Sequence, residues 1–266
     1  MTQMPPTPTP PPQPIKWFPD RKPSSPQAFE TFQELDNVTL LAQADLLLLI
    51  AQILAHPSTD IQSLLEQEVT DIQELLQHSG LPERENLATV FQDIRQQAQT
   101  LNLDIWVAEY NRLFEGNVAC PINESGFIRR DKGAILADIA GFYTAFGFEL
   151  SNEASEKADH LIGELEFIAM LLVLLAQVSD QEIKRTIHDA LGAFSFDHLG
   201  EWLPTFCERL PVITTLPIYQ QIAALLHQTW TGILAVNHLP IPENAIENLP
   251  EEEVGTPYEC DMAERS

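Results

Sequence analysis

Asp159-His160-Leu161-Ile162-Gly163-Glu164-Leu165-Glu166-Phe167-Ile168-Ala169-Met170-Leu171-Leu172 is the stretch that sets the fold class. Leu161, Ile162, Leu165, Ile168 and Leu172 recur at intervals of three and four, the spacing that lines one face of an α-helix. Asp159 stands near the start of that helix, and His160 and Glu164, four apart, share a face. The same period extends outward. Upstream it is carried by Ile135, Leu136, Ile139, Phe142, Tyr143 and Phe146, and before them by Leu87, Val90, Phe91, Ile94 and Leu101. Earlier still come Ile61, Leu64, Leu65, Val69, Ile72, Leu75 and Leu76, a run that Gly80-Leu81-Pro82 stops. Downstream, Tyr219, Ile222, Leu226, Trp230 and Ile233 mark a last long helix. Residues 37–55 are apolar almost all round, which predicts a central, nearly enclosed helix. No stretch alternates with period two between turn signals, and none repeats at a fixed longer period. The expectation is a single globular all-α domain of about nine or ten helices over residues 27–242.

Composition frames that domain. The chain has 266 residues, 44% of them hydrophobic, so it can build a core. Its 39 acidic and 14 basic side chains give a formal charge of -25. That balance excludes nucleic acid, whose phosphates require Lys and Arg, and disfavours an anionic membrane. It suits a basic partner, or simple solubility. Ten of the twenty prolines fall within residues 5–26, so residues 1–26 read as a disordered Pro-rich leader. Residues 243–266 hold eight acids and one arginine and read as an acidic tail. With the leader at +2 and the tail at -7, the domain itself carries -20. No secretory signal is visible, and Cys120, Cys207 and Cys260 form no CxxC pair, which fits a reducing, cytoplasmic setting. Six of the eleven glycines (Gly116, Gly126, Gly133, Gly141, Gly147 and Gly163) fall within 48 residues. Their concentration marks turns or close approaches and directs attention to residues 106–170.

Catalytic patterns are missing. There is no phosphate-binding loop, no HExxH and no Glu-x-x-His pair, and Ser125 lacks the glycine that opens a nucleophile elbow. Cys120 has no adjacent histidine and reads as a buried thiol. The Asp159-His160-Glu164 cluster offers too few ligands for a metal. It is open between a helix-capping Asp with a structural His–Glu pair and a polar determinant at the edge of a groove. Arg129-Arg130 lies mid-chain and reads as a salt-bridging basic shoulder.

Several ordered motifs together resemble the TorD/DmsD/NarJ family of molybdoenzyme-specific chaperones. They are Glu109-Tyr110-Asn111-Arg112-Leu113-Phe114-Glu115-Gly116 with Pro121 and Glu124-Ser125, then Lys132-Gly133-Ala134 and Ala137-Asp138-Ile139-Ala140-Gly141-Phe142-Tyr143. Asp159-His160-Leu161 with Glu164-Leu165-Glu166-Phe167 follows, and then Phe196-Asp197-His198-Leu199 with Trp202-Leu203-Pro204. The resemblance spans roughly residues 37–236. Its form is most like the chaperones of respiratory DMSO-reductase-type enzymes, such as those for ethylbenzene dehydrogenase or selenate and chlorate reductases.

The resemblance implies an all-helical protein without catalytic residues, resident cofactor or metal. Such a protein binds the signal peptide or N-terminus of an apo catalytic subunit of a molybdenum oxidoreductase of the DMSO reductase family. It supports cofactor insertion and, for a client exported by the twin-arginine route, proofreads export. It also implies a monomer or a domain-swapped dimer, with residues 116–133 long enough for a hinge. The implied client-peptide residues are Tyr110, Leu113 and Phe114 on one stretch, Ser125 in a loop, and Asp159, His160 and Glu164. Ile122-Asn123 stand where the family often has Pro-Trp, so the peptide recognised differs or lacks a twin-arginine signal. Leu113 and Phe114 also fit plain core packing. The physics agrees with a cationic leader: between Pro26 and Arg129 only Arg84, Arg95 and Arg112 oppose sixteen acids. The alternatives are a helical adaptor for a basic folded partner and a nucleotide hydrolase, the latter resting on guanine-nucleotide binding associated with some family members.

Overall fold

The computed structural model describes residues 35–66, 70–116, 118–149 and 157–242. The leader, the acidic tail and Val69 lie outside the described residues. Within them the chain forms ten α-helices: α1 Asn37–Leu54, α2 Thr59–Glu66, α3 Thr70–His78, α4 Arg84–Thr100, α5 Leu103–Phe114, α6 Lys132–Phe146, α7 Leu161–Gln177, α8 Gln181–Phe194, α9 Gly200–Ile213 and α10 Pro217–Val236. The fold is all-α, as the periodicity predicts. One isolated bridge, between Asn123 and His160, is the β pairing seen among the described residues.

The two most apolar helices lie together at the centre. α1 begins where the Asp36 carboxylate accepts the Thr39 N–H at 3.0 Å, a side-chain N-cap. Leu40, Leu46, Leu47, Ile50, Ile53 and Leu54 are buried along it, and α7 packs against its length. Each such aliphatic side chain stabilises the fold by roughly 1.5–3 kcal/mol relative to its exposed state. α1 is long and apolar enough to cross a membrane by composition, yet more than half of it is enclosed by the rest of the chain. α7 is buried on nearly all sides, so it carries Glu164 into the interior with its leucines.

α10 packs on α4, α9 and α1. A polar knot pins the join. Gln43 Nε2 donates to Ser79 O at 2.8 Å, while Gln43 Oε1 accepts from Asn237 Nδ2 at 2.7 Å. The buried amide is therefore satisfied at both ends. α8 runs without a break into a single π-helical turn, Ser195–Leu199, and on into α9. The wider turn re-aims Asp197 and His198 relative to a plain α-helix.

The clustered glycines have mixed roles. Gly116 and Gly147 turn the chain in the left-handed region at φ 67° and 70°. Gly133, Gly141 and Gly163 are helical positions in α6 and α7, and nothing lies within 4 Å of a Cβ added at Gly141, so that glycine marks neither a turn nor a close approach.

Candidate functional site

The sequence between α5 and α6 has no helix long enough to hold itself in place, so its backbone needs partners elsewhere. It finds them at the start of α7. Glu124 N–H donates to Asp159 O at 2.9 Å, and Leu161 N–H donates to Ile122 O at 3.0 Å. The Asp159 side chain completes the seam: Oδ2 accepts the Ser125 N–H at 3.1 Å and Oδ1 accepts from Asn123 Nδ2 at 3.3 Å. Residues 124–126 form one 3₁₀ turn. Gly126 permits it, because a Cβ there would lie 2.3 Å from Pro121 Cβ.

The helix cap is not Asp159. His160 holds that position, with Nδ1 accepting the Ile162 N–H at 3.3 Å, so Nδ1 bears no proton. Asp159 caps the loop instead. It is fully enclosed and His160 nearly so. Both residues therefore position the loop in this conformation rather than face solvent.

Behind the loop lies a set of buried charges. Glu124 is enclosed, and its Oε2 accepts from His198 Nδ1 at 2.8 Å. Its other oxygen, Oε1, is 3.3 Å from Arg130 Nη2. His198 Nε2 lies 3.7 Å from Asp138 Oδ2, beyond hydrogen-bond range. Glu164, also enclosed, takes a hydrogen bond from the Trp202 indole at 3.3 Å, while its Oε1 has no hydrogen-bond partner among the described residues. Burial, reinforced by the nearby charges of Glu124 and Asp159, pushes the Glu164 carboxyl well above its ordinary pKa. That environment favours its protonated form. Phe142 of α6 closes the far side, its ring 5.8 Å from that of His198.

The α5 motif lies on the other flank of α9. Leu113 is fully buried, and Tyr110 and Phe114 nearly so. Phe114 stacks on Phe206 at 6.3 Å, Phe206 meets Phe127 at 6.2 Å, and Phe127 stacks on Trp202 at 5.4 Å. A continuous aromatic row thus connects the α5 motif to the loop. Nearby, Glu109 receives both arms of Arg112, at 2.7 and 2.8 Å, and the Thr215 N–H at 2.6 Å. Burial alone would raise its pKa; these donors overcome it and hold the carboxyl down at about 2.

The structure therefore brings Ser125, Asp159, His160 and Glu164 into one unit and joins Tyr110, Leu113 and Phe114 to it through aromatic packing. Glu124, Arg130, His198, Glu201 and Trp202 are equally part of the unit and are not among the site residues the sequence predicts. Their signal is present in the motifs that carry the resemblance, but only the fold makes them neighbours. Burial pushes the Cys120 thiol up to about 12, so it is no thiolate nucleophile. A groove of about 510 Å³ between α3 and α4, lined by Gln73, Leu76, Gln77, Glu83 and Ala88, shares no residue with the loop site.

Comparisons with known proteins fall on this region. Residues 81–208 match the family model described as nitrate reductase delta subunit. The chain is 35% identical over 113 residues to the chlorate reductase assembly chaperone protein of Ideonella dechloratans, covering 41% of this chain and 58% of that protein. It is 39% identical over 108 residues to the selenate reductase assembly chaperone protein of Thauera selenatis, covering 39% and 56%. The chain thus spans rather more than half the length of these relatives. A solved structure of a putative redox enzyme maturation protein from Archaeoglobus fulgidus aligns with a TM-score of 0.43 at 21% identity, covering 75% of this chain and 96% of that one. The motifs that form the buried loop clamp, from Glu124 through Asp159 to Trp202, all lie within residues 81–208, the part of the chain that is similar to the nitrate reductase delta subunit family.

Proposed function

We propose that this protein is an assembly chaperone for the catalytic subunit of a molybdenum oxidoreductase. It holds the signal peptide or N-terminal segment of the apo subunit in the cytoplasm while cofactor is inserted, and it delays export where the client uses the twin-arginine route. One observation carries the reading. Motifs separated by some 74 positions, Glu124-Ser125, Asp159-His160 and His198, converge on one loop whose underside is fixed by buried carboxylates. The Glu124–His198 and Asp159–Ser125 contacts fix the loop from behind, which supports a surface that holds a client segment. Ser125, Phe127 and Ile128 are half-buried in that loop, Glu201 meets Arg130 beside it, and Asp138 lies 3.7 Å from His198. Apolar side chains edged by carboxylates suit a cationic segment that continues into an apolar stretch.

The relatives named as assembly chaperones of chlorate and selenate reductases support the client class. The test is retention of partners by the tagged full chain in its own cells. A molybdoenzyme catalytic subunit should be recovered, through its N-terminal segment. Recovery of unrelated proteins alone would overturn the reading. The Asp159→Ala/His160→Ala double variant should retain less of that subunit while keeping its helical circular dichroism.

A further inference from the structure

Arg130 sits among acceptors in an unusual way. A single nitrogen, Nη2, makes all its contacts: Glu201 Oε2 at 2.7 Å, Asp197 O at 3.0 Å and Glu124 Oε1 at 3.3 Å. Among the described residues its other two nitrogens make no hydrogen bond, and the side chain is 41% exposed. A second guanidinium–carboxylate pair is built differently. Arg112 meets Glu109 with two nitrogens on two oxygens, the bidentate fork that gives such pairs their strength. Arg130 occupies its seat by one corner.

The seat itself is more permanent than its occupant. Glu124 is enclosed and fixed by His198, Asp197 O is fixed in the π-helical turn, and Glu201 stands on the first turn of α9. Without a cation there, the Glu124 and Glu201 carboxylates would face one another unneutralised. The chemistry of the seat, two carboxylates and a carbonyl at hydrogen-bond range of one cation, is that of a guanidinium site. It opens beside the half-buried face of Ser125 and Phe127.

We propose that Glu124, Glu201 and Asp197 O form a binding site for an arginine of the client segment, and that Arg130 fills it as an internal stand-in which the client arginine displaces. Taking the incoming arginine as the client's rests on the assembly-chaperone reading; the site's preference for guanidinium does not. The exchange conserves charge in the seat. It also frees Arg130 to solvent and so makes empty and loaded states distinct. A competitor already in place lowers apparent affinity by the fraction of time it occupies the site.

The experiment uses the full chain with Arg130→Ala. Its melting temperature should fall, and about 20 mM methylguanidinium should restore at least half of the loss, by ligand linkage to the folded state. Methylammonium at the same concentration should restore none, and neither should move the wild type. A labelled decapeptide with two adjacent arginines before a leucine run should bind Arg130→Ala at least about tenfold tighter than wild type. The twin-lysine counterpart should not distinguish the two proteins. Failure of methylguanidinium to restore stability, or equal or weaker peptide binding by the variant, overturns the proposal. If Arg130→Ala does not fold, Arg130→Lys keeps a cation without the planar fork; it too should bind the arginine peptide several-fold tighter, and equal binding overturns the proposal. If these tests fail while the chain still retains its reductase subunit, Arg130 is scaffold and the chaperone reading stands. If guanidinium binds but no subunit is retained, the site stands and that reading fails.

Discussion

His198 Nδ1 lies 2.8 Å from Glu124 Oε2, and both side chains are closed off from solvent. The pair ties the π-helical turn before α9 to the loop before α6. Removing one partner leaves a buried group unsatisfied, which is the costly way to break such a pair. His198→Ala and Glu124→Ala should each lower stability by about 3 kcal/mol. The double variant should cost less than the sum of the two, with a coupling of at least about 1 kcal/mol from urea unfolding. Strict additivity would show that the contact contributes nothing.

Glu164 gives a prediction of opposite sign. Its carboxyl is raised by burial and by the Glu124 charge, so the folded state favours the protonated form. Its stability contribution is present below the unfolded carboxyl pKa and is lost as pH rises toward the folded one. Glu164→Gln, which copies the neutral acid, should therefore equal or exceed wild type in stability at pH 8, and the difference should shrink as pH falls. Glu164→Ala should cost roughly 2–3 kcal/mol, since it empties space in a closed interior and strands the Trp202 N–H. The urea midpoint at pH 5 and pH 8 decides the matter.

Glu109 behaves the other way. Its folded pKa of about 2 lies below the ordinary carboxylate value of 4.5. The stabilisation is present above that ordinary value and is lost as pH falls toward 2. It amounts to roughly 2–3 kcal/mol. Unfolding midpoints between pH 5 and pH 2.5 should fall more steeply for wild type than for Glu109→Gln. Parallel slopes would show that the Arg112 and Thr215 donors do not hold the carboxylate in its charged form.

Two glycines should respond in opposite directions to alanine. Nothing lies within 4 Å of a Cβ built at Gly141, inside α6, so Gly141→Ala should raise stability by about 0.5–1 kcal/mol. At Gly126 the same methyl would meet Pro121 at 2.3 Å, and Gly126→Ala should cost about 1–3 kcal/mol. Thermal melts of the two variants measure both.

The helices are legible in the sequence because burial imposes a period. The apolar spacing of Leu161, Ile162, Leu165, Ile168 and Leu172 in α7 needs no knowledge of what the helix packs against. The site is legible only in part. Asp159 and Ser125 stand in recognisable motifs, but their pairing crosses 34 positions and depends on the Gly126 turn, which no local period reports. Asp159 reads as a helix cap by position, whereas His160 takes that role because its Nδ1 reaches the Ile162 N–H. Glu164 reads as the partner of His160 by its spacing; the apolar wrapping of α7 sends it inward to Trp202 instead. Arg130 reads as a plain salt-bridging residue, and the one-nitrogen seat that sets it apart exists only after α9 and the loop are assembled.

The central claim is that the loop held by Asp159 and Glu124 retains a client before its cofactor is in place. Its most direct measurement is the molybdenum content of the catalytic subunit that co-purifies with the tagged full chain. The account predicts a retained subunit with less than about a tenth of an equivalent of molybdenum, released once cofactor is supplied, since a ligand that favours the mature state shifts the population away from the bound one. A fully loaded subunit held just as tightly would contradict it.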